Sequence, residues 1–423
     1  MASRAGRGVG RSSKGSGASS KAVAPAVHPS APLHDGAAHA HTLQHCGAAL
    51  LAAPLVGAAP QQPGGRPLVA RAGPPGAAVQ AGLEEFIAAG PLLRVCGLGP
   101  DHVAEHRATW ECLGRRLAEQ LGFDHDAMDD VQRLRVYHYY LPVYFWVDGQ
   151  LQQHRAAAAA AAADGAPPPP LVLGISAPQG CGKSTLVEQL GELFDWLGVR
   201  AASVSVDDFY LTRSDQAALA AAAPDNRLLQ LRGNAGSHDL ELGRGALAAL
   251  RGLTRPGDTV AVPRYDKSAY GGLGDRADPS AWPTVEGPLD IVLFEGWMLG
   301  FSPVGPEAAA AADASLPAVD AALGAYRDAW DAAVDSWLVI RIGDPQWVFG
   351  WRLQAEQRMR AAGKPGMSDE AIADFVSRYI PAYTAYLPGL YAAGPTTAAP
   401  GRTLILEVDA ARAPVAQQPE PVL

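Results

Sequence analysis

Residues 171–197 have the sequence LVLGISAPQGCGKSTLVEQLGELFDWL, and this stretch decides the fold. Its first five residues are apolar apart from one glycine, and a run of this length suits a strand that is buried on both faces. A loop of small residues follows at 177–184. Apolar residues then recur at helical spacing from Leu186 to Leu197, and Gly198 is well placed to end the helix. A strand, a glycine-rich loop and a helix in this order predict a phosphate-binding P-loop.

The residue types in this loop suit the binding of a nucleotide triphosphate. Gly180 and Gly182 allow backbone N–H groups to turn inward around phosphate oxygens, and the positive end of the following helix points at the same anion. Lys183 would reach the β- and γ-phosphates, and Ser184 would ligate Mg²⁺. The usual first glycine of the pattern is replaced by Ala177, and an incidental glycine-rich turn is the alternative. The predicted ATP-binding residues of the loop are Gly180, Cys181, Gly182, Lys183, Ser184 and Thr185.

Length and charge restrict the classes of function. A chain of 423 residues can form two or three domains. It has no stretch of 18 or more strongly apolar residues, so we expect no transmembrane helix. The net charge is −9, but residues 1–83 carry seven basic residues and one acid, which leaves 27 basic and 42 acidic residues in the rest of the chain. Because an acidic protein body binds nucleic acid and membranes poorly, a small-molecule substrate is favoured.

Changes in composition indicate four segments. The first is rich in Arg, Lys, Ser, Gly and Ala and has no acid before Asp35, which is typical of a plastid or, as second choice, a mitochondrial targeting segment, with an uncleaved disordered tail as the alternative. Apolar spacing then predicts helices, and an aromatic block at 134–147 contains His138, which we expect to be a core histidine. The predicted segments are a transit peptide or disordered tail at 1–75, a helical N-terminal module at 81–153, an Ala/Pro-rich linker at 154–170 and a P-loop domain at 171–423.

The order of elements in the last segment predicts an α/β fold. Short apolar runs that alternate with helical patterns are typical of a parallel sheet with helices on both faces. Two late runs, at 337–342 and 403–408, are further strand candidates. We therefore expect a P-loop NTPase-type parallel sheet preceded by a helical N-terminal module.

Acidic residues follow two of the predicted strands. Asp207 and Asp208 end the run at 201–206, and Glu295 ends the run at 289–294. In an open parallel sheet the binding site lies beyond the carboxyl ends of the strands, so these acids should face the same cleft as the P-loop. An aspartate there can accept the proton of a hydroxyl that attacks the γ-phosphate; a helix N-cap is the alternative, and two adjacent aspartates could provide one of each. Glu295 suits the orientation of Mg²⁺ or its water shell.

Two polar loops carry candidate substrate-binding residues. The loop LRGNAGSHD contains Arg232 and His238 and could wrap a small polar ligand, although a turn followed by a helix N-cap at Asp239 explains it nearly as well. The loop VPRYDKS contributes Arg264 and Lys267, which suit a substrate carboxylate or the transferring phosphate. Solvated surface charges are the alternative for both.

A later helix carries three arginines. An Asp-Pro pair at Asp344 is placed to begin this helix. Arg352, Arg358 and Arg360 could form a mobile lid that closes over ATP and neutralises charge in the transition state. The alternative is an exposed salt-bridge ladder, because Arg352, Glu356 and Arg360 have i, i+4, i+8 spacing.

Taken together, the motifs resemble those of the plant-type D-glycerate 3-kinases of chloroplasts. They are APQGCGKST, VDDFYLT, LRGNAGSHDL, VPRYDKSAYGGLGDRAD, LFEGWMLGF, WRLQAEQRMR and FVSRYIPAYTAYLP, preceded by the similar block YHYYLPVYFW. The resemblance extends from about residue 81 to the C-terminus, interrupted by the Ala-rich insertions. The P-loop alone is generic, whereas RGNAGSHDL, PRYDKSAY and FEGWMLGF in this order are specific. That family in turn resembles phosphoribulokinase, uridine kinase and pantothenate kinase.

The resemblance implies a kinase that uses ATP and Mg²⁺ to convert D-glycerate to 3-phosphoglycerate, the closing step of photorespiration, and it agrees with an address in the chloroplast stroma. By analogy with the wider group, Asp207 rather than Asp208 is the catalytic base. We expect a monomer with no nucleic-acid or membrane partner. The candidate residues are Lys183, Asp207 and Arg352 for catalysis, Arg358 and Arg360 for ATP binding beside the P-loop, Arg232, His238, Arg264 and Lys267 for the substrate, and Ser184 and Glu295 for the metal.

Two alternatives stand beside this interpretation. A related kinase could act on another small hydroxylated substrate, such as pantothenate, a nucleoside or ribulose 5-phosphate. A non-catalytic nucleotide-binding module is the other, and it is disfavoured because a pure binder has no need of Asp207.

Overall fold

The computed structural model describes residues 75–161, 167–361, 363 and 367–416. The segment predicted to be a transit peptide or disordered tail, residues 1–75, lies outside these ranges apart from its last residue. Among the helices of the described part, none is long and apolar enough to cross a membrane.

The N-terminal part of the described chain is helical, as predicted. Its aromatic block forms a π-helical stretch, Leu134–Tyr140, which continues directly into a long helix and is buried from Val136 to Phe145. His138 is a core residue: its Nε2 lies 2.6 Å from the carbonyl oxygen of Phe86. The helices are α1 (Pro75–Ala88), α2 (Pro91–Val95), α3 (Pro100–Glu105), α4 (Arg107–Gln120), α5 (Asp130–Arg133) and α6 (Leu141–Ala161), with a 3₁₀ turn at His125–Ala127.

Helix α6 runs through much of the alanine tract and ends at Ala161. The first part of the segment predicted to be a linker, 154–161, is therefore helical. Alanine has the highest helix propensity of all residues, and the helix-breaking prolines come only at 167–170.

The centre of the P-loop part is a six-stranded sheet. The strands of the described chain are β1 (Leu171–Ser176), β2 (Ala201–Ser205), β3 (Thr259–Ala261), β4 (Tyr265–Asp266), β5 (Asp275–Arg276), β6 (Thr284–Glu286), β7 (Ile291–Gly296), β8 (Ser336–Ile342), β9 (Thr403–Val408) and β10 (Pro414–Val415). The sheet has the order β10-β9-β8-β1-β7-β2, in which every neighbouring pair is parallel except β9 and β10. The predicted parallel α/β sheet is confirmed, with one antiparallel strand at its edge. Strands β3 and β6, and β4 and β5, form two small antiparallel ribbons outside it.

Helices connect the strands and cover the sheet. Strand β1 is buried along its whole length and β7 everywhere except at Glu295, as central strands of a covered parallel sheet must be. Helix α4 of the N-terminal part packs against the helix that follows the P-loop. The helices after β1 are α7 (Lys183–Trp196), α8 (Arg213–Ala222), α9 (Leu240–Arg251), α10 (Pro306–Ala312), α11 (Leu316–Leu323), α12 (Tyr326–Ala329), α13 (Trp347–Ala361), α14 (Asp369–Ser377) and α15 (Ile380–Ala393), with 3₁₀ turns at Val206–Phe209, Ala269–Gly272, Pro279–Ala281 and Asp331–Ala333.

One predicted helix start differs from the observed α-helical start by a few residues. Helix α13 begins at Trp347 and not at the Asp344-Pro345 pair. The Asp344 carboxylate accepts a hydrogen bond from the N–H of Gln346 at 2.8 Å, which closes a separate turn before the helix. The N–H groups of Trp347, Val348 and Phe349 donate to carbonyl oxygens three residues back, so a tighter turn leads from Asp344 into the α-helix.

Candidate active site

Three neighbouring strands end at the same edge of the sheet. Glu295 of β7 pairs in register with Ile175 of β1 and with Ser205 of β2. The P-loop follows β1, and Asp207 and Asp208 lie in the 3₁₀ turn that follows β2. The structure therefore brings the predicted acids to the carboxyl edge of the sheet beside the P-loop, where ligands bind in open parallel sheets.

The P-loop has the backbone conformation that its glycines allow. Gly180 and Gly182 have φ of +79° and +99°, in the left-handed region that other residues avoid. Gly182 is the N-cap of α7, which begins at Lys183. Ser184 and Thr185 lie exposed in the first turn of α7, so the loop can present backbone N–H groups, a lysine and two hydroxyls to an anion.

Lys183 forms an ion pair with Glu295. Burial lowers the pKa of Lys183, and the negative charge of Asp207 opposes that shift. Asp207 is thus within electrostatic reach of the P-loop lysine. The neighbouring Cys181 is fully buried, and burial raises the pKa of its thiol to about 11, so the thiol is neutral and inert.

Asp208 has a structural environment. Its Oδ2 accepts the N–H of Ser205 at 3.2 Å, while the Ser205 hydroxyl accepts the N–H of Asp207, which together cap the turn reciprocally. Arg264 lies 3.2 Å from the same carboxylate oxygen. Burial raises the pKa of Asp208, and Arg264 opposes this shift.

Asp207 has a different environment, in which both carboxylate oxygens meet polar side chains. The Tyr210 hydroxyl donates to Oδ1 at 2.9 Å, and Nζ of Lys267 lies 2.5 Å from Oδ2. Burial by itself raises the pKa of Asp207, but the charges of Lys267 and Lys183 and the Tyr210 hydrogen bond outweigh it and lower the pKa below its usual value. Asp207 is therefore ionised at neutral pH. Sequence analysis did not single out Tyr210, although its position three residues after Asp207 in a short turn was a usable signal.

Arg232 lies close to the loop that carries Lys267, and no carboxylate of the described residues forms an ion pair with it. Its guanidinium donates to the carbonyl oxygens of Gly272, at 2.9 Å, and of Leu273, and it lies 5.4 Å from the centre of the Tyr265 ring. A third, longer hydrogen bond reaches the carbonyl oxygen of Lys267. All three hydrogen bonds go to neutral main-chain atoms, so they hold the loop that carries Lys267 without cancelling the positive charge of Arg232.

His238 is buried beside Tyr210. The two rings stack with centroids 4.6 Å apart, and Nδ1 of His238 lies 2.8 Å from the hydroxyl of Tyr326. The Tyr326 hydroxyl also accepts the N–H of Gly236 at 2.9 Å. Burial lowers the pKa of His238 to about 4, so the imidazole is neutral. Its Nε2 is buried and has no hydrogen-bond partner among the described residues.

The three arginines of α13 differ in their surroundings. Arg352 pairs with the buried carboxylate of Glu356, which is the first rung of the alternative salt-bridge ladder. The second rung does not form, because Arg360 lies 2.9 Å from Asp369 instead. Arg358 is exposed, and the described part of the chain provides no carboxylate partner for it.

Arg412 contacts the P-loop, and sequence analysis missed it. It lies in the turn between β9 and β10, and its Nε donates to the carbonyl oxygen of Gly180 at 2.6 Å. Its guanidinium also lies over the ring of Trp351 in α13. No local pattern marks this residue, because the contact joins positions 232 residues apart.

The oxygen donors at the site fit a magnesium ion. The hydroxyl of Ser184 and the carboxylate of Glu295 belong to adjacent elements at the sheet edge, and Mg²⁺ prefers one or two such ligands with phosphate oxygens and water. The described residues contain no group of three or more His, Cys, Asp or Glu side chains that could bind a metal by themselves. A metal at this edge would therefore depend on the bound nucleotide for further ligands.

Comparisons with known proteins place the chain among kinases. It is 50% identical over 333 residues to the chloroplastic D-glycerate 3-kinase of Arabidopsis thaliana, an alignment that covers 79% of this chain and 72% of the relative. The probable ATP-dependent kinase TDA10 of Saccharomyces cerevisiae is 37% identical over 227 residues, covering 51% of this chain and 78% of that protein. Among solved structures, D-glycerate 3-kinase from Cryptococcus neoformans var. grubii matches with a TM-score of 0.58 and 34% identity, covering 64% of this chain and 97% of that one. No family model matches the chain.

Proposed function

The chain belongs to the D-glycerate 3-kinase family, and we propose that it transfers the γ-phosphoryl group of ATP to D-glycerate to give 3-phosphoglycerate. One observation carries the proposal beyond family membership. The P-loop lysine, Lys183, and the ionised Asp207 lie within electrostatic reach of each other at one edge of the sheet, with Lys267 against Asp207. A kinase needs these parts: a phosphate cradle, a carboxylate for the attacking hydroxyl and cations for the negative charge.

The P-loop binds the ATP phosphates in this mechanism. Backbone N–H groups of Gly180, Cys181 and Gly182 face the phosphate oxygens, and the N-terminus of α7 adds its positive dipole. Lys183 leaves Glu295 and moves to the β- and γ-phosphates, which replaces one anionic partner by another. Ser184 and Glu295 would hold Mg²⁺, which supplies charge neutralisation between the phosphates when bound.

Asp207 accepts the proton of the attacking hydroxyl. A carboxylate with a lowered pKa is a weak base, but the transition state of phosphoryl transfer is loose, so the proton leaves late and a strong base is unnecessary. Tyr210 holds Oδ1 of Asp207, which leaves Oδ2 for the acceptor hydroxyl once Lys267 moves away. Asp207 also orients the hydroxyl towards the γ-phosphate.

The acceptor carboxylate binds to cations of the two polar loops. Lys267 and Arg264 are each paired with an aspartate, whereas the charge of Arg232 is uncompensated, so Arg232 is the strongest candidate for this contact. His238 contributes its buried Nε2, which has no hydrogen-bond partner among the described residues and can contact the acceptor once it is bound. A neutral imidazole together with these cations suits a small hydroxy acid.

The arginines of α13 close over the nucleotide in this proposal. Arg358 is the most available of the three, because Arg352 and Arg360 are paired with Glu356 and Asp369. Closing would bring positive charge to the transferring phosphoryl group and exclude water.

Phosphorus NMR of the product formed from ATP and D-glycerate tests the function directly. We expect 3-phosphoglycerate. Formation of 2-phosphoglycerate would contradict the assigned position of the phosphate. Activity with pantothenate, a nucleoside or ribulose 5-phosphate, and none with D-glycerate, would contradict the proposed substrate.

We also propose that the protein is a monomer in the chloroplast stroma and acts in photorespiration, with residues 1–75 as the transit peptide. A fluorescent protein fused to that segment should enter plastids.

A further inference from the structure

Arg412 connects the P-loop with two distant parts of the chain. Its Nε donates to the carbonyl oxygen of Gly180 at 2.6 Å, its Nη1 donates to Oε1 of Gln354 at 3.1 Å, and its guanidinium lies 5.1 Å from the centre of the Trp351 ring. All three partners are uncharged. Since no carboxylate of the described residues forms an ion pair with Arg412, its positive charge is not neutralised beside the P-loop. Burial lowers its pKa, and the charges of Arg358 and Arg135 lower it further, which indicates three cations on this flank.

The turn that carries Arg412 is built to hold it in an unfavourable conformation. Arg412 has φ of +65°, which costs a residue with a Cβ about 1 kcal/mol. The Asp409 carboxylate compensates by accepting the N–H groups of Ala411 and Ala413 at 2.8 and 2.9 Å, and the Arg412 N–H donates to the Asp409 carbonyl oxygen. The turn thus fixes the backbone of Arg412, and the contacts with Gly180, Gln354 and Trp351 fix its guanidinium.

The contact at Gly180 fixes the orientation of a phosphate-binding amide. In a trans peptide the C=O and N–H groups point in opposite directions, so a fixed Gly180 carbonyl also fixes the N–H of Cys181. A cation on the carbonyl oxygen polarises the peptide and makes that N–H a stronger donor. We propose that Arg412 is a positioning residue for nucleotide binding, which acts on the ATP phosphates through the Gly180–Cys181 peptide.

The sheet order separates this effect from the acceptor site. Arg412 follows β9, on one side of β1, whereas Asp207 follows β2, on the other side. Loss of Arg412 should therefore weaken nucleotide binding and leave acceptor binding unchanged. The inference rests on the ATP-binding part of the proposed function, and not on the identity of the acceptor.

Calorimetric titration with ADP and Mg²⁺ tests the proposal without any acceptor. For Arg412→Ala we expect Kd for ADP and KM for ATP to rise about tenfold, the usual effect of losing a hydrogen bond from a charged group. KM for D-glycerate and kcat at saturating ATP should stay within about twofold of wild type. Arg412→Lys should recover part of the affinity, because an ammonium can reach the carbonyl oxygen but cannot also cover Trp351.

Arg402→Ala is the matched control. Arg402 precedes the same strand, β9, and it too donates to one main-chain carbonyl and one glutamine Oε1, both from Gln150. If Arg412 only fastens the C-terminal hairpin, both alanine variants lose thermal stability and keep the wild-type Kd for ADP, which would overturn the proposal. If Arg412→Ala is too unstable to assay, Arg412→Gln decides, since it keeps a donor but removes the charge: a wild-type Kd would overturn the proposal and a severalfold rise would support it.

The two proposals fail separately. Wild-type protein that binds ADP but does not phosphorylate D-glycerate would contradict the proposed acceptor. The role of Arg412 would still be decided by the Kd of its variants for ADP. A wild-type D-glycerate kinase whose Arg412→Ala variant binds ADP normally would contradict the inference alone.

Discussion

Three cations at the site are held against carboxylates, which gives each of them a defined position within an acidic protein. A lysine or arginine that faces a carboxylate has a defined position before any substrate arrives. Binding then exchanges one anionic partner for another, so little additional desolvation of the cation is needed. The pairs are Lys183 with Glu295, Lys267 with Asp207 and Arg264 with Asp208.

The role of Asp207 can be separated from that of its neighbour. We expect Asp207→Asn to lower kcat by roughly a thousandfold with Kd for ADP nearly unchanged, because the amide cannot accept the proton of the hydroxyl. Steady-state kinetics and calorimetry measure the two quantities. Asp208→Asn is the comparison. It weakens the cap of the 3₁₀ turn, so we expect the free energy of unfolding to fall by about 1 kcal/mol and kcat to change little. A near-wild-type kcat for Asp207→Asn would rule out this residue as base.

Arg232 is the residue on which acceptor affinity should depend most. Arg232→Gln keeps donors for the carbonyl oxygens of Gly272 and Leu273 but removes the charge, so KM for D-glycerate should rise at least about tenfold, while KM for ATP stays constant. Arg264→Ala should raise it less, because Arg264 is already paired with Asp208. Initial rates at varied D-glycerate concentrations give the KM values of the two variants. A larger rise for Arg264→Ala than for Arg232→Gln would assign the acceptor carboxylate to Arg264.

At the scale of elements, left-handed glycines lie on both sides of helix α7: Gly180 in the P-loop before it and Gly198 after it, and of these two only Gly180 has a close neighbour. A Cβ on Gly180 would lie 2.7 Å from Cβ of Trp351, whereas a Cβ on Gly198 would have no atom within 4 Å. Their φ values are +79° and +76°, so alanine should cost about 1 kcal/mol of stability at either position.

Gly180→Ala should therefore have a second effect that Gly198→Ala lacks. The added methyl group pushes the P-loop away from α13, and we expect Kd for ADP to rise at least about tenfold. Gly198→Ala should lose stability alone. Calorimetric titration measures Kd for ADP, and urea unfolding measures the free energy of unfolding. Equal ADP affinity in the two variants would show that the P-loop tolerates the displacement.

The sequence predicts elements where one pattern is strong over several residues. The apolar runs that form β1, β7, β8 and β9 meet this condition, and their positions are confirmed. Ribbons of two or three residues, such as β4 and β5, bury too little to leave a period in the sequence. The α-helical start of α13 lies later than the Asp344-Pro345 pair predicted, because i+3 hydrogen bonds form a tighter first turn there that the sequence pattern does not distinguish from the α-helix.

At the scale of the whole molecule, the strand order places Arg412, after β9, and Asp207, after β2, on opposite sides of β1. Sequence patterns could predict that Asp207 and Glu295 follow strands, and parallel topology then places them near the P-loop. They could not predict the contacts of Arg412 or the pairing of Lys267 with Asp207, because both join loops whose relative position depends on the complete fold. Contacts of this kind leave no local period.

The pH dependence of stability should be influenced by a buried acid outside the active site. Asp331 is 5% exposed, and the N–H of Gly300, at 3.4 Å, is the only donor that its carboxylate has among the described residues. Burial raises its pKa from 3.8 to about 8. Because the folded-state pKa is the higher one, Asp331 favours folding most below pH 4, and this contribution is lost as the pH rises towards 8.

Asp331→Asn should reverse this loss, since the amide stays neutral and keeps an acceptor for Gly300. Between pH 6.5 and 8.5 we expect the free energy of unfolding of the variant to improve relative to wild type by about 1 kcal/mol or more. Urea unfolding at the two pH values measures the difference. Asp320→Asn is the control, because the equally buried Asp320 accepts the N–H groups of Val304 and Gly305 at 2.8 and 3.0 Å, and its loss should destabilise the protein at both pH values. A pH-independent difference for Asp331→Asn would mean that its carboxyl group titrates outside this range and that the fold tolerates the buried charge.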